Sequence, residues 1–168
     1  MNKSELKNIA EGLIETFDIA GQESIDLFSK GLEIKIKSDN SPVSNGDLAC
    51  NKLITNKILE LTPNIPIVSE ETVDLSIKNK NKIFWLIDPI DGTKEYIAGK
   101  EEYTLNAALV INKIPSIGLV GAPKKKQLFY SYGVGDSYLI ENNKKTKNDC
   151  SKKTPKNEIV ALSSSAHP

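Results

Sequence analysis

The sequence predicts an α+β fold, with two N-terminal helices packed on a mainly antiparallel sheet. Two patterns carry this expectation. Up to residue 60, apolar residues recur at three- and four-residue steps, which marks one helix face. Beyond residue 100, short alternating apolar runs follow one another with turn residues between them, the pattern of an antiparallel meander.

Residues 4–30 read as one helix, with Leu6, Ile9, Ala10, Leu13, Phe17 and Ala20 on its apolar face and Gly31 as its stop. LEIKI (32–36) alternates and reads as a short strand. KSDNSPVSNGD reads as a polar loop, extended ahead of Pro42. A second helix starts near Ser44 and runs to about Glu60, with Leu48, Ala49, Leu53, Ile54, Ile58 and Leu59 as its apolar residues. TPNIP is a turn and IVSEE a short strand ending in two acids. Residues 72–82 read as a lysine-rich loop with a helical turn, KIFWLID as a strand, and 93–98 as a short helix. YTLNAALVI, IPSIGLVGAP, QLFYSY and DSYLI form the meander. ENNKKTKNDCSKKTPKNE reads as a polar loop and IVALSSS as a last strand. The expected organisation is one α+β domain over 1–160, with 161–168 opening a second α/β domain that is otherwise absent.

Composition narrows the function. Hydrophobic residues make up 39% and charged residues 26%, ordinary values for a globular chain. Bases and acids balance at 22 each, which gives no sign of a nucleic-acid or membrane-surface protein. Every base is a lysine, so phosphate chemistry would use metals, backbone N–H groups or lysine rather than an arginine fork. The lysines at 124–126 and 144–156 read as solvated loops, because no aromatic residue interleaves within them to stack bases. GVGD (133–136) lacks the third glycine and the helix of a dinucleotide site. Cys50 and Cys150 fit incidental thiols in a reduced compartment, with Cys50 a small core residue, and His167 reads as incidental. The N-terminus has no apolar h-region, and no apolar run reaches the ~20 residues of a membrane span. The expected location is cytoplasmic, with peripheral association at the inner membrane face left open.

FWLIDPIDGTKEY (84–96) is the informative stretch. An apolar strand delivers Asp88 at a sheet edge. Pro89 fixes φ, Ile90 presents its carbonyl, and Asp91 turns back to the same point. Two carboxylates and a carbonyl within four residues suit a hard divalent cation such as Mg²⁺. A cation would turn the repulsion of the acids into attraction. Gly92 and Thr93 open the next helix, where backbone N–H groups can receive an anion. Metal ligands beside a phosphate cradle point to metal-assisted phosphate-ester hydrolysis. Read alone, Asp91 also fits a helix cap and Asp88 a strand end. Glu70, in the pair after Ser69, could complete the metal set or simply be solvated. Asp47, three residues after Ser44, makes an S-x-x-D capping pattern. Lys37 and Asp39 alone read as surface charges.

In this order, K-x-D-x-S-P-V-x-x-x-D (37–47), S-E-E (69–71) and W-L-I-D-P-I-D-G-T-K-E-Y (85–96) together resemble the inositol monophosphatase superfamily of Mg²⁺-dependent, lithium-sensitive phosphatases. Lys94-Glu95-Tyr96 resembles the D-G-T-K-E-F of its bacterial 3′(2′),5′-bisphosphate nucleotidases, as does NAALVINKIPSIGLVGAP (106–123). The resemblance implies that Glu70, Asp88, Asp91 and the Ile90 carbonyl hold two Mg²⁺ ions, with a weaker third. It implies that Thr93 and Asp47 form a dyad that orients and deprotonates the attacking water, with Glu70 also catalytic. Glu70, Ile90, Asp91, Gly92 and Thr93 would lie against the substrate, and Li⁺ would inhibit.

The implied activity is removal of the 3′-phosphate of adenosine 3′,5′-bisphosphate, a by-product of sulfate assimilation. Inositol or sugar-phosphate hydrolysis is the alternative within the enzyme class. Ser44 and Gly46 stand where the superfamily usually has Thr and Ala. Its later W-D-x-A motif, which completes the second metal site, does not occur in these residues; the single tryptophan is Trp85. The expectation is therefore an N-terminal portion with weak or absent turnover alone. Other expectations are self-association through an exposed apolar face, or a non-catalytic half that binds metal and phosphate and assembles with a separate C-terminal half.

Overall fold

The computed structural model of the chain describes residues 1–72 and 81–149. Expectations for 73–80, Cys150, the strand at IVALSSS, His167 and the domain start at 161–168 lie outside the described residues.

The N-terminal helical stretch is two helices, α1 (Lys3–Gly12) and α2 (Ile14–Lys30), rather than one. The ladder breaks at Leu13, whose N–H bonds to the Ala10 carbonyl at 3.2 Å. Gly12 is a weak helix former at that point. Asn2 and Glu5 cap α1 reciprocally at 2.9 and 2.7 Å. Gly31 ends α2 as expected, at φ 98°.

β1 (Ile34–Ile36) pairs antiparallel with β2 (Pro42–Ser44). β2 lies in the stretch expected to be loop, and Ile36↔Pro42 is the last pair before the turn. α3 (Asn45–Leu61) begins at an N-cap formed by Ser44. Ile54, Ile58 and Cys50 are buried as expected, whereas Leu48 and Leu59, also expected on its apolar face, are exposed.

β3 (Ile67–Ser69), β4 (Ile83–Asp91), β5 (Thr104–Ile111), β6 (Ile114–Ala122), β7 (Gln127–Tyr132), β8 (Ser137–Glu141) and β9 (Lys144–Lys147) form a seven-stranded sheet in sequence order. Among the described residues, only β3 and β4 run parallel. A short helix, α4 (Thr93–Ile97), follows β4. β9 overturns the loop expected at the first of those lysines. Asn142 and Asn143 both have positive φ, at 49° and 64°, so they close a two-residue hairpin. β9 is an edge strand among the described residues, and its lysines suit an edge position. They are also engaged: Lys145 meets Glu11 at 2.8 Å and lies 4.5 Å from the Tyr138 ring centroid.

The helices cover one sheet face. Ala10, Leu13, Phe17, Ala20, Ile54 and Ile58 pack with Trp85, Ile87, Leu105, Leu109, Ile117 and Leu119 in one core. Trp85 is fully buried and its indole N–H donates to Thr62 Oγ1 at 3.0 Å. Cys50 is buried, donates to the Ala20 carbonyl at 3.3 Å, and burial pushes its thiol up to about 12, which makes it inert. The opposite face carries exposed Leu86, Val120 and Phe129.

Tyr96 of α4 ties the layers together. Its ring lies 4.9 Å from that of Tyr103, and its hydroxyl donates to the Ser24 carbonyl at 2.6 Å. The same hydroxyl explains Gly46, because a Cβ there would sit 2.5 Å from Tyr96 Oη. The glycine allows α4 to approach the first turn of α3. Gly46→Ala should therefore destabilise the fold by about 1–3 kcal/mol through overpacking. Tyr96→Phe removes the closest contact, so the double variant should lose at least about 0.5 kcal/mol less than the sum of the singles. Denaturant unfolding of the four proteins measures this, and strict additivity would contradict it.

Candidate functional site

The acidic residues meet at the C-terminal ends of β3 and β4. In an unbroken strand, residues three apart face opposite ways. Asp88 and Asp91 do not, because β4 carries a bulge. Asp88 pairs with Asn106 and Asp91 with Thr104, so three steps on β4 match two on β5. Asn106 and Thr104 share a face, and both aspartates are brought to it. Pro89, which cannot donate to the ladder, lies inside the bulge. The strand thus continues through DPID to Asp91 instead of ending at Asp88, and β4 is an interior strand, not a sheet edge. The site is reached from the face the helices leave open.

Glu70 joins from β3. Ser69 pairs with Ile87, and the Glu70 N–H bonds to the Ile87 carbonyl at 3.1 Å. Its side chain therefore stands on the side of Asp88, close enough for the two carboxylates to repel. Lys37 is more than an idle surface charge. Its ammonium lies 2.8 Å from Glu71 and 3.5 Å from Glu70. Burial works against the Lys37 charge, but these pairs outweigh it and hold its pKa above the ordinary value. Glu71 is itself pushed up by burial.

Asp88 is the pressure point. Burial raises its carboxyl first, and Glu70, Asp91 and Glu71 add like-charge repulsion, bringing it to about 7. Its Oδ1 is buried and has no hydrogen-bond partner among the described residues. Such an acceptor calls for a positive group. Carboxylate oxygens with a backbone carbonyl alongside suit a hard divalent cation, so the residues fit Mg²⁺. Among the described residues, no three ligating side chains already close on one point. Glu70 and Asp88 are neighbours across β3 and β4, while Asp91 is tied at 3.2 Å to the amide nitrogen of Asn106.

Asp47 and Thr93 are hydrogen-bonded to each other. Asp47 is buried, and its Oδ2 accepts from Ser44 N at 2.8 Å and Ser44 Oγ at 2.6 Å. Its Oδ1 accepts from Thr93 Oγ1 at 3.0 Å. The cap and the bond to Thr93 use different oxygens, so Asp47 can cap its helix and hold Thr93 at once. Thr93 Oγ1 also lies 3.1 Å from the Ile90 carbonyl. Gly92 has φ 91° and a Cβ there would meet the Glu102 carbonyl at 3.0 Å, so this turn requires glycine. α4 has five residues, too few for a substantial helix dipole. An anion at Gly92 and Thr93 would rely on backbone N–H groups alone.

Asn106 was missed in the sequence, where it reads as one more polar residue in a strand. Its bond to Asp91 depends on the bulge, which no local pattern announces.

Without divalent cations, the folded chain holds a proton on Asp88 more tightly than the unfolded chain, whose aspartates sit near ~3.9. Stability from this group is present at low pH and is lost as pH rises toward 7. With EDTA present, the unfolding midpoint should fall between pH 5 and pH 8, and Asp88→Asn should reduce that fall. An unchanged fall would contradict the burial and repulsion assigned to Asp88.

Comparison with known proteins identifies the family and the fold. The family model described as the inositol monophosphatase family matches residues 5–168. The 3′(2′),5′-bisphosphate nucleotidase CysQ of Escherichia coli K12 is 33% identical over 136 residues, covering 80% of this chain and 51% of that protein. The crystal structure of CysQ from Bacteroides thetaiotaomicron superposes with TM-score 0.64 at 31% identity, covering 79% of this chain and 49% of the other. An inositol monophosphatase/NADP phosphatase complexed with Mg²⁺ and phosphate superposes with TM-score 0.69 at 18% identity over 80% of this chain and 51% of the other, a likeness of fold. The chain thus spans about half the length of the relatives it matches. It carries the α+β half of their fold, and it belongs to the inositol monophosphatase family.

Proposed function

We propose that this chain carries the metal- and phosphate-binding half of a Mg²⁺-dependent phosphomonoesterase that removes the 3′-phosphate of adenosine 3′,5′-bisphosphate. Residues 1–160 would form that half, and 161–168 would open the other. The observation that carries the reading is the bulge that sets Asp88 and Asp91 on one face beside Glu70, next to the Asp47–Thr93 hydrogen bond. The nucleotide is preferred over inositol or sugar phosphates because relatives at 31–34% identity carry the bisphosphate nucleotidase or CysQ name. A cytoplasmic location fits that substrate.

Glu70, Asp88, Asp91 and the Ile90 carbonyl would hold the cations. Mg²⁺, when bound, lowers the pKa of water and neutralises charge that builds on the phosphoryl group. The protein does the rest by placement. Thr93 has one hydroxyl proton and two acceptors, Asp47 and the Ile90 carbonyl. With the carbonyl engaged by a cation, the proton goes to Asp47. The Thr93 oxygen is then left as an acceptor that orients the attacking water in line with the ribose oxygen. Asp47, fixed by two bonds from Ser44, keeps that hydroxyl from rotating. The Gly92 and Thr93 N–H groups would receive a phosphate oxygen, and Glu70 would stand on the water's side.

A second reading concerns assembly. Leu86, Val120 and Phe129 expose an apolar patch on the open sheet face, and the relatives are about twice as long as this chain. We propose that polypeptide equivalent to the relatives' other half covers this face. Full turnover would need it, and the chain alone would be a weak or silent phosphatase. Sedimentation tests the patch: a monomer that stays monomeric when Leu86 and Phe129 are made polar, with no gain in solubility, contradicts it.

Calorimetry with Mg²⁺, followed by phosphate release from adenosine 3′,5′-bisphosphate in competition with inositol 1-phosphate, tests the main reading. Saturable Mg²⁺ binding is expected, lost in Asp91→Asn, with any turnover favouring the nucleotide and suppressed by Li⁺. No Mg²⁺ binding, or preference for inositol phosphate, contradicts it.

A further inference from the structure

We propose that Asn106 belongs to the cation site, holding Asp91 through its amide nitrogen and presenting its carbonyl oxygen to the same hydrated cation. The proposal rests on the reading of the acidic cluster as a divalent-cation site.

Asn106 lies in β5 directly across from Asp88. Its Nδ2 donates to Asp91 Oδ2 at 3.2 Å. That bond fixes the amide orientation, since the reverse orientation would set a carbonyl oxygen against a carboxylate. Asn106 Oδ1 therefore points away from Asp91. It is buried and has no hydrogen-bond partner among the described residues, and the same is true of Asp88 Oδ1. Two bare acceptors thus occupy one cross-strand position. The residue across the other side of β5 is Val120, whose side chain has nothing to donate. A buried acceptor on a rigid strand, without a donor on either neighbouring strand, is suited to a ligand.

The residue type fits the role. A fourth carboxylate would deepen the repulsion already acting on Asp88, and an apolar residue would leave Asp91 free to swing. An amide pins one oxygen of Asp91 with a neutral donor. It also adds an oxygen of the kind that hard cations or their waters accept, at no cost in charge. If Asn106 only pinned Asp91 for the stability of the fold, the cation would be indifferent to it.

Two variants separate these roles. Asn106→Leu removes both functions with a similar volume, and Asn106→Asp keeps the shape but exchanges the donor for a charge. Each is compared with the parent chain by thermal unfolding in EDTA and in Mg²⁺, and by calorimetry with Mg²⁺. Asn106→Leu should unfold close to the parent in EDTA, because a half-satisfied amide is replaced by an apolar group. Its Mg²⁺ affinity should fall about 10–100-fold, with the Mg²⁺-induced rise in midpoint shrinking accordingly. Asn106→Asp should be less stable than the parent in EDTA at pH 8 and recover with Mg²⁺. Parent-like Mg²⁺ affinity in both variants overturns the proposal alone. So does a loss of stability that is equal with and without Mg²⁺. A parent chain that binds no Mg²⁺ overturns it together with the cation reading.

Discussion

The bulge in β4 is the constraint on which the site depends. A regular strand would send Asp88 and Asp91 to opposite faces, one toward the helices and one toward the open side. The extra residue opposite β5 sends both to the open side, next to Glu70. The fold thereby concentrates like charge at the end of a buried strand, where Asp88 is half-buried and one of its oxygens has no partner among the described residues. Such an arrangement costs stability in the isolated chain. A bound cation would offset that cost, which is why the arrangement supports the proposed site.

The surrounding packing keeps that arrangement from relaxing. Trp85 and Ile87, two residues apart on β4, are locked into the helix-facing core, so the strand cannot rotate to separate its acids. Trp85 is also bonded to Thr62 at the end of α3. At the other end of α3, Ser44 and Asp47 join the helix start to Thr93 of α4. Tyr96 wedges against Gly46 and bonds back to α2. Four elements therefore fix the position of one hydroxyl, Thr93 Oγ1, relative to the acids. This is the kind of rigid support that precise placement of a water demands.

Much of this was legible in the chain. Periodicity located α3, the buried strand ahead of Asp88 and the meander, because those signals come from burial on one face. The chemistry of D-P-I-D-G-T was readable because its oxygen donors are local in sequence. What escaped depended on long-range pairing or on backbone sign. The break at Leu13, the β1–β2 pairing through Pro42 and the Asn142–Asn143 hairpin turn were all read as continuous helix or loop. Polar composition hid β9, since an exposed lysine-rich edge strand alternates nothing. Lys37 looked idle because its partners lie more than thirty residues away, and Asn106 looked idle because its bond to Asp91 is made possible by a bulge. The substitution of Gly for the usual Ala at 46 became intelligible only when Tyr96 was seen to fill the space.

The central claim is that the oxygens of Glu70, Asp88, Asp91 and the Ile90 carbonyl converge on a common divalent cation. Anomalous diffraction from a crystal of the chain soaked in Mn²⁺ tests this directly. The account predicts a peak on the open face at the end of β4, about 2.0–2.3 Å from oxygens of those residues. A crystal with strong Mn²⁺ peaks elsewhere and none within reach of Asp88 and Asp91 would contradict it.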